Sequence, residues 1–406
     1  MKNKKIIIGI VAVILAITIF AGIVIAVTKS NSTKIGTVSD EEETKAEAKE
    51  IVLEDNNYMH VETDASGDKV PVPNGFVGSS ATGENEIDTG FVIYEGEEEV
   101  TDSNVADAQK TRNQYVWIPV PDPSTFYGTD ANGKKWGKIY NFSTSTSNET
   151  GTTANNWSES NGIMSISSTT GYREPDVVRG SSSTVYDMDS RLRTLGLGAE
   201  TTHEFLMQLE KEFNKMIESV EKYGGFYIGR YETGDLNQDV AVVQKGNTNI
   251  SNQTWYTMYK KCKTLSNNNN NVVTGMAWGN QFDRTLMWLI ESGAKTKEEI
   301  SSNSTSWANY RKATFEYTNS SGSVVTKNSG SYVRIPAGST DYTKANNIYD
   351  LAGNVYDWTM EANSSNYRVV RGGVYSSNSG AARYRSNYSP TNSGNYCGCR
   401  SALYIK

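Results

Sequence analysis

The groups best able to do chemistry in this chain are its thiols and its imidazoles, and both are scarce. Three cysteines occur, Cys262, Cys397 and Cys399, beside two histidines, His60 and His203. A thiolate is a nucleophile and a soft-metal ligand. Cys397 and Cys399 alone make an incomplete metal site, and they are too close together to staple a loop of consequence. A bridge from Cys262 to one of them is open on sequence grounds, but three cysteines are no disulfide scaffold. Two histidines cannot assemble a His-rich zinc or iron site. With 39 Lys and Arg against 46 Asp and Glu, a formal charge of -7 and no basic stripe, nucleic acid is excluded as a partner.

Recognition chemistry is densest near the C-terminus. Tyr375, Ser376, Asn378, Arg383, Tyr384, Arg385, Asn387, Tyr388, Asn392, Asn395 and Tyr396 form the candidate ligand-binding set. Tyr supplies rigid amphipathic area, Arg supplies charge and stacking, and Ser and Asn adapt by hydrogen bonding. Tyr, Asn and Ser are frequent in the whole chain, so a shared compositional bias is the competing origin of this run. The ligand expected for such a surface is a cell-surface glycan or a protein.

Regular elements must position that tail. Gln114-Tyr115-Val116-Trp117-Ile118-Pro119-Val120 is β-branched and aromatic and predicts a strand. Thr201-Thr202-His203-Glu204 reads as a capping box, and Phe205, Leu206, Leu209, Phe213, Met216, Ile217 and Val220 follow at helical spacing. That helix ends at Gly224-Gly225 and leads into a strand from Phe226 to Glu232. His203 falls in the first turn, a surface position. A second helix is predicted over 280–291, with Phe282, Leu286, Leu289 and Ile290 on one face and Gly293 as its stop. Residues 121–195 read as long surface loops, and 267–271 as a flexible polar loop. Helix, strand, long loops, helix and short strands argue α+β.

The N-terminus adds a separate expectation. Residues 6–27 carry no charge and follow Lys2, Lys4 and Lys5. As a helix they would reach roughly 33 Å, which suits a transmembrane anchor better than a signal peptide. The basic start sets residues 1–5 in the cytoplasm and the rest outside, a single pass through the cell membrane. Residues 28–69, with Asp40-Glu41-Glu42-Glu43, read as an acidic flexible stalk, and 70–406 as the folded domain. The Asn, Ser, Thr, Gly and Tyr content is that of a bacterial-type extracellular surface protein.

The run Asn346-Asn347-Ile348-Tyr349-Asp350-Leu351-Ala352-Gly353-Asn354-Val355-Tyr356-Asp357-Trp358-Thr359, then Arg371-Gly372-Gly373 and a closing Gly398-Cys399-Arg400, resembles the C-terminal signature of the formylglycine-generating enzyme (sulfatase-modifying factor) family. The resemblance covers roughly 223–405. It implies a C-type-lectin-like fold and a loop that can hold calcium through Asp350, Asn354 and Asp357, hard oxygen donors. Side-chain capping of turns is the competing reading of those three. It also implies two copper-binding cysteines just after the Arg-Gly-Gly turn. Here that stretch runs Val374-Tyr375-Ser376-Ser377-Asn378-Ser379-Gly380-Ala381-Ala382 and holds no cysteine, so no copper is expected. Cys399 stands where the family has a packing aromatic. A lectin-like framework with such a tail also resembles the variable proteins of diversity-generating retroelements. Adenine changes in an Asn codon yield Ser, Tyr, Arg, Gly or Cys.

The expectation is therefore an α+β, membrane-anchored, outward-facing protein that binds a ligand through a formylglycine-generating-enzyme-like domain. Its rival is an oxidase of the sulfatase-modifying kind with displaced cysteines, acting on an exported protein. A structural surface component would differ from the binder only in its partner.

Overall fold

The apolar runs Tyr115-Val116-Trp117-Ile118, Phe226-Tyr227-Ile228 and Ala402-Leu403-Tyr404-Ile405 are too continuous for half-solvated strands, and every one of these residues is buried. The computed structural model describes residues 51–406 apart from 141, 143–156, 161–162, 167–171, 179–184, 237–239, 267 and 364–365. The expected anchor at 6–27 and the stalk up to residue 50 lie outside the described residues. No described helix is long and apolar enough to cross a membrane.

Helices are labelled α1 (Val105–Thr111), α2 (Val185–Leu195), α3 (Thr202–Tyr223), α4 (Trp255–Lys263), α5 (Gly279–Glu291) and α6 (Lys297–Ser301). The strands of the two larger sheets are β1 (Phe76–Gly78), β2 (Val92–Glu95), β3 (Gln114–Pro119), β4 (Gly225–Gly229), β5 (Val272–Met276), β6 (Tyr356–Ala362), β7 (Arg368–Arg371), β8 (Arg385–Tyr388), β9 (Cys397–Cys399) and β10 (Ser401–Ile405). The first sheet has the order β5-β10-β4-β3-β2-β1, antiparallel throughout. The second has the order β8-β7-β6-β9, in which only β9 runs parallel to its neighbour. Helix α3 packs on β4 and β10, α4 on β5 and α5 on β3. This mixture of segregated helices and antiparallel strands is α+β, as expected.

The capping box forms as read. Thr201 accepts from the Glu204 amide, the Glu204 carboxylate accepts from the Thr201 amide, and the apolar stripe of α3 is buried. Gly224 ends the helix at φ 81°, a left-handed conformation that only glycine adopts without strain. His203 is exposed, and α5 begins at Gly279, one residue before the expected start.

Three expectations need correction. The folded unit starts before residue 70: Met59–Thr63 pairs antiparallel with Lys69–Pro73, and Met59 is 1 % exposed. Acidic composition hid this hairpin. Asp64 is a turn residue whose carboxylate accepts from the amides of Ser66, Asp68 and Ile87. Residues 121–195 are not loops alone; they contain a hairpin (Tyr127–Thr129 with Lys135–Gly137), the pair Trp157–Ser160 and Ile163–Ile166, and α2. Within 267–271, the amide groups of Asn269 and Asn271 both donate to the Asn74 carbonyl, which ties that turn down.

Candidate functional site

The 346–357 block is built from backbone that few residue types tolerate. Asn346, Asn347, Asp350, Gly353 and Asn354 all have positive φ, which explains their Asn, Asp and Gly identities. A Cβ on Gly353 would stand 2.6 Å from the Asn309 carbonyl oxygen, so glycine is required there. Trp358 then anchors the start of β6 at 0 % exposure.

The oxygens expected to hold calcium are only partly engaged by the protein: one carboxylate oxygen each of Asp350 and Asp357 is buried without a hydrogen-bond partner. The Asn354 carbonyl oxygen accepts from Asn309 Nδ2 and the Ile335 amide, both at 3.0 Å, and its Nδ2 donates to Glu232 at 2.6 Å. Asp350 accepts from the Gly338 amide at 2.9 Å. Asp357 is paired with Arg400 at 3.2 Å, a cation that opposes a second one. Among the described residues no group of three His, Cys, Asp or Glu side chains could hold a metal. Glu232, which the sequence did not single out as a site residue, completes the cluster. Burial, then the charges of Asp350 and Asp357, push its carboxyl well above the usual range.

Beneath the tail lies a second buried network. Register places Arg371 directly across from Arg385 on β7 and β8. Facing like charges are costly unless acids intervene, and Asp283 of α5 and Glu361 of β6 do so. Arg371 reaches Asp283 at 2.6 Å and Glu361 at 3.6 Å; Arg385 pairs with Glu361 at 2.9 Å and also with Asp283. Glu174 adds a third carboxylate, accepting from the Gly279 and Asn280 amides at 2.7 and 2.6 Å at the α5 N-terminus. Burial, reinforced by Glu361, raises its carboxyl to about 8. A proton on Glu174 leaves two carboxylates facing two guanidiniums.

The tail residues therefore divide. Arg385 turns inward, its side chain 7 % exposed. Arg383 is half-buried and donates to the Ser301 carbonyl. Tyr375 and Asn392 are half-buried, with the Tyr375 amide on the Asn354 carbonyl and Asn392 Nδ2 on the Tyr396 hydroxyl. Ser376, Asn378, Asn387 and Asn395 are exposed. Tyr384, Tyr388 and Tyr396 gather around the buried Tyr356, with ring centroids 5.8, 5.9 and 6.2 Å from it, and Tyr388 also meets Trp358 at 6.2 Å. Tyr384 is 40 % exposed and forms the outer ring of this patch. Beside it opens a cleft of about 470 Å³ lined by Tyr172, Ser301, Ser302, Ala381, Arg383, Tyr384 and Arg385. Tyr172, Ser301 and Ser302 come from distant segments and carry no local signal. A larger cleft of about 730 Å³, lined by Gln109, Lys245, Thr340 and Asp341 among others, shares no residue with the tail.

The thiols are all enclosed. Cys262, Cys397 and Cys399 are each 0 % exposed, and burial pushes the Cys397 thiol up to about 12. A buried thiol with a raised pKa is a poor nucleophile.

Residues 290–405 match the family model of the sulfatase-modifying factor enzyme 1-like domain. This meets the resemblance read from the loop block over the C-terminal part of its expected range. Three solved structures align over 45 % of the chain. They are Treponema denticola variable protein 1, at 17 % identity over 85 % of that chain with a TM-score of 0.30; CarF, at 12 % over 87 % with 0.29; and PvdO from Pseudomonas aeruginosa, at 17 % over 82 % with 0.26. Among curated proteins nothing matches.

Proposed function

We propose that the sulfatase-modifying-factor-like region of this chain is a binding module without chemistry, and that its ligand, a cell-surface glycan or a protein, sits on the tyrosine patch of the tail. One observation carries the reading: the stretch after Arg371-Gly372-Gly373 holds no cysteine, while the three thiols elsewhere are buried. A thiol oxidase needs an accessible thiolate. What the tail offers a ligand instead is the Tyr384 ring and the side chains of Ser376, Asn378, Asn387 and Asn395. Rings and amides of this kind recognise partners at low entropic cost. Arg385 is held by buried acids and acts as framework. The uncharged run at 6–27 supports a single-pass anchor with the domain outside the cell.

The test is binding of the full chain, in detergent or nanodiscs, to arrayed glycans and to intact cell surfaces. Tyr384→Ala is expected to weaken capture at least about tenfold, in the range of an aromatic interface anchor. Conversion of a cysteine in a supplied peptide to an aldehyde by the wild-type chain, with loss of that activity in Cys399→Ser, would overturn the reading in favour of a displaced-cysteine oxidase.

A further inference from the structure

The thiols that the binding reading leaves without a role meet in the core. Cys262 lies in the last turn of α4 and Cys399 ends β9, 137 residues further on, and their sulfurs stand 3.4 Å apart with both side chains fully buried. Each is carried by a regular element. Helix α4 packs against β5, and β9 is hydrogen-bonded to β6, so neither cysteine sits on a loop that could swing away. Cys397 projects from the same face of β9 two residues earlier, about 7 Å along the strand. That spacing leaves Cys397 beside Tyr388 and out of reach of Cys262 while Cys399 is in contact with it.

We infer that in an oxidising compartment Cys262 and Cys399 are joined by a disulfide and Cys397 remains a free thiol. The oxidant is a dithiol–disulfide exchange partner, either a protein disulfide or oxidised glutathione. One cysteine thiolate attacks a sulfur of that disulfide and expels a thiolate. The other cysteine then attacks the mixed disulfide and expels the second. Two electrons and two protons pass from the cysteines to the oxidant, which leaves as two thiols, and one S–S bond is exchanged for another. The hydrogen bond with Cys262, and then burial, push the Cys399 thiol well above its usual range and keep it protonated in the folded chain. Exchange therefore takes place as α4 docks against β9, before the two sulfurs are sealed from solvent, and that docking selects the pair. The cross-link spans the whole tail surface and most of the family-matched region, and it constrains the unfolded chain more than a short loop would. It stands independently of what the tail binds.

The deciding experiment takes the full chain refolded in detergent with a reduced and oxidised glutathione pair. The protein is denatured, blocked with iodoacetamide without reductant, and weighed intact before peptide mapping. Expected is a single alkylated cysteine, Cys397, with a Cys262–Cys399 peptide pair that disappears on reduction, after which all three sites alkylate. Three alkylated cysteines before reduction, a bridge involving Cys397, or a disulfide between chains would each overturn the inference. Reductant is also expected to lower the melting temperature of wild type and to leave the double variant Cys262→Ala, Cys399→Ala unmoved. An equal shift in both would count against the bond, and if the double variant does not fold the mass measurement on wild type decides alone.

Discussion

Arg400 is the residue that joins the two sheets. It stands between β9 of one and β10 of the other, and its guanidinium donates to Asp357 at 3.2 Å, the Gly229 carbonyl at 2.9 Å and the Tyr349 carbonyl at 2.8 Å. That three-way fork is why the motif closes on arginine. Arg400→Ala strands a buried carboxylate and two carbonyls and is expected to cost about 3–5 kcal/mol, read from the urea midpoint. Arg400→Lys should recover little, because an ammonium cannot reproduce the planar fork. Framework and surface separate at the same scale. Trp358→Ala should cost about 3–5 kcal/mol as a cavity in the core, whereas Tyr384→Ala, at the rim but stacked on Tyr356, should cost about 1 kcal/mol. Loss of binding in Tyr384→Ala while the folded state keeps most of its stability is what a surface role requires.

Strands β7 and β8 show how an element constrains the residues it displays. Their register sets two arginines opposite each other, and only the acids of α5 and β6 make that tolerable. Asp283→Asn is therefore expected to loosen β8, with faster amide exchange at 385–388 than at 368–371. The same register sorts the tail into positions that can vary and positions that cannot. Sequencing the gene in sibling isolates should place substitutions at Ser376, Asn378, Tyr384, Asn387 and Asn395, which are exposed, and spare Val374, Ala382 and Pro390, which are buried. Substitutions spread evenly over both groups would remove the case for a varied binding surface. The helices and the loop block were legible because their signals are local: a capping box, a stripe at helical spacing, and a run of Asn, Asp and Gly demanding positive φ. The inward turn of Arg385 was not legible, since its partners come from α5, β6 and residue 140.

Across the whole molecule, the buried Glu174 makes stability depend on pH. Its carboxyl has an ordinary pKa of 4.5 in the unfolded chain and about 8 in the folded one. Between those values only the folded state holds the proton, so this contribution is fully present below 4.5 and is lost as pH rises through 8. Urea midpoints from about pH 5 to about pH 9 should fall, and Glu174→Gln should flatten the slope while losing some stability in acid. A wild-type curve no steeper than the variant's would show that Glu174 is ionised in the fold. The amino-acid sequence by itself determined the α+β class, the capped helix, the glycine-dependent turns and the family likeness of 290–405, because each is written in short runs of neighbouring residues or in the order of such runs along the chain. Only the tertiary structure decided that the folded unit reaches back to residue 59, that Asn309 and Arg400 are partners of Asn354 and Asp357, and that Cys262 meets Cys399. Those contacts join residues 43 or more positions apart or, at the first hairpin, oppose the local acidic composition. Sheet order brings them together, and no local pattern encodes it.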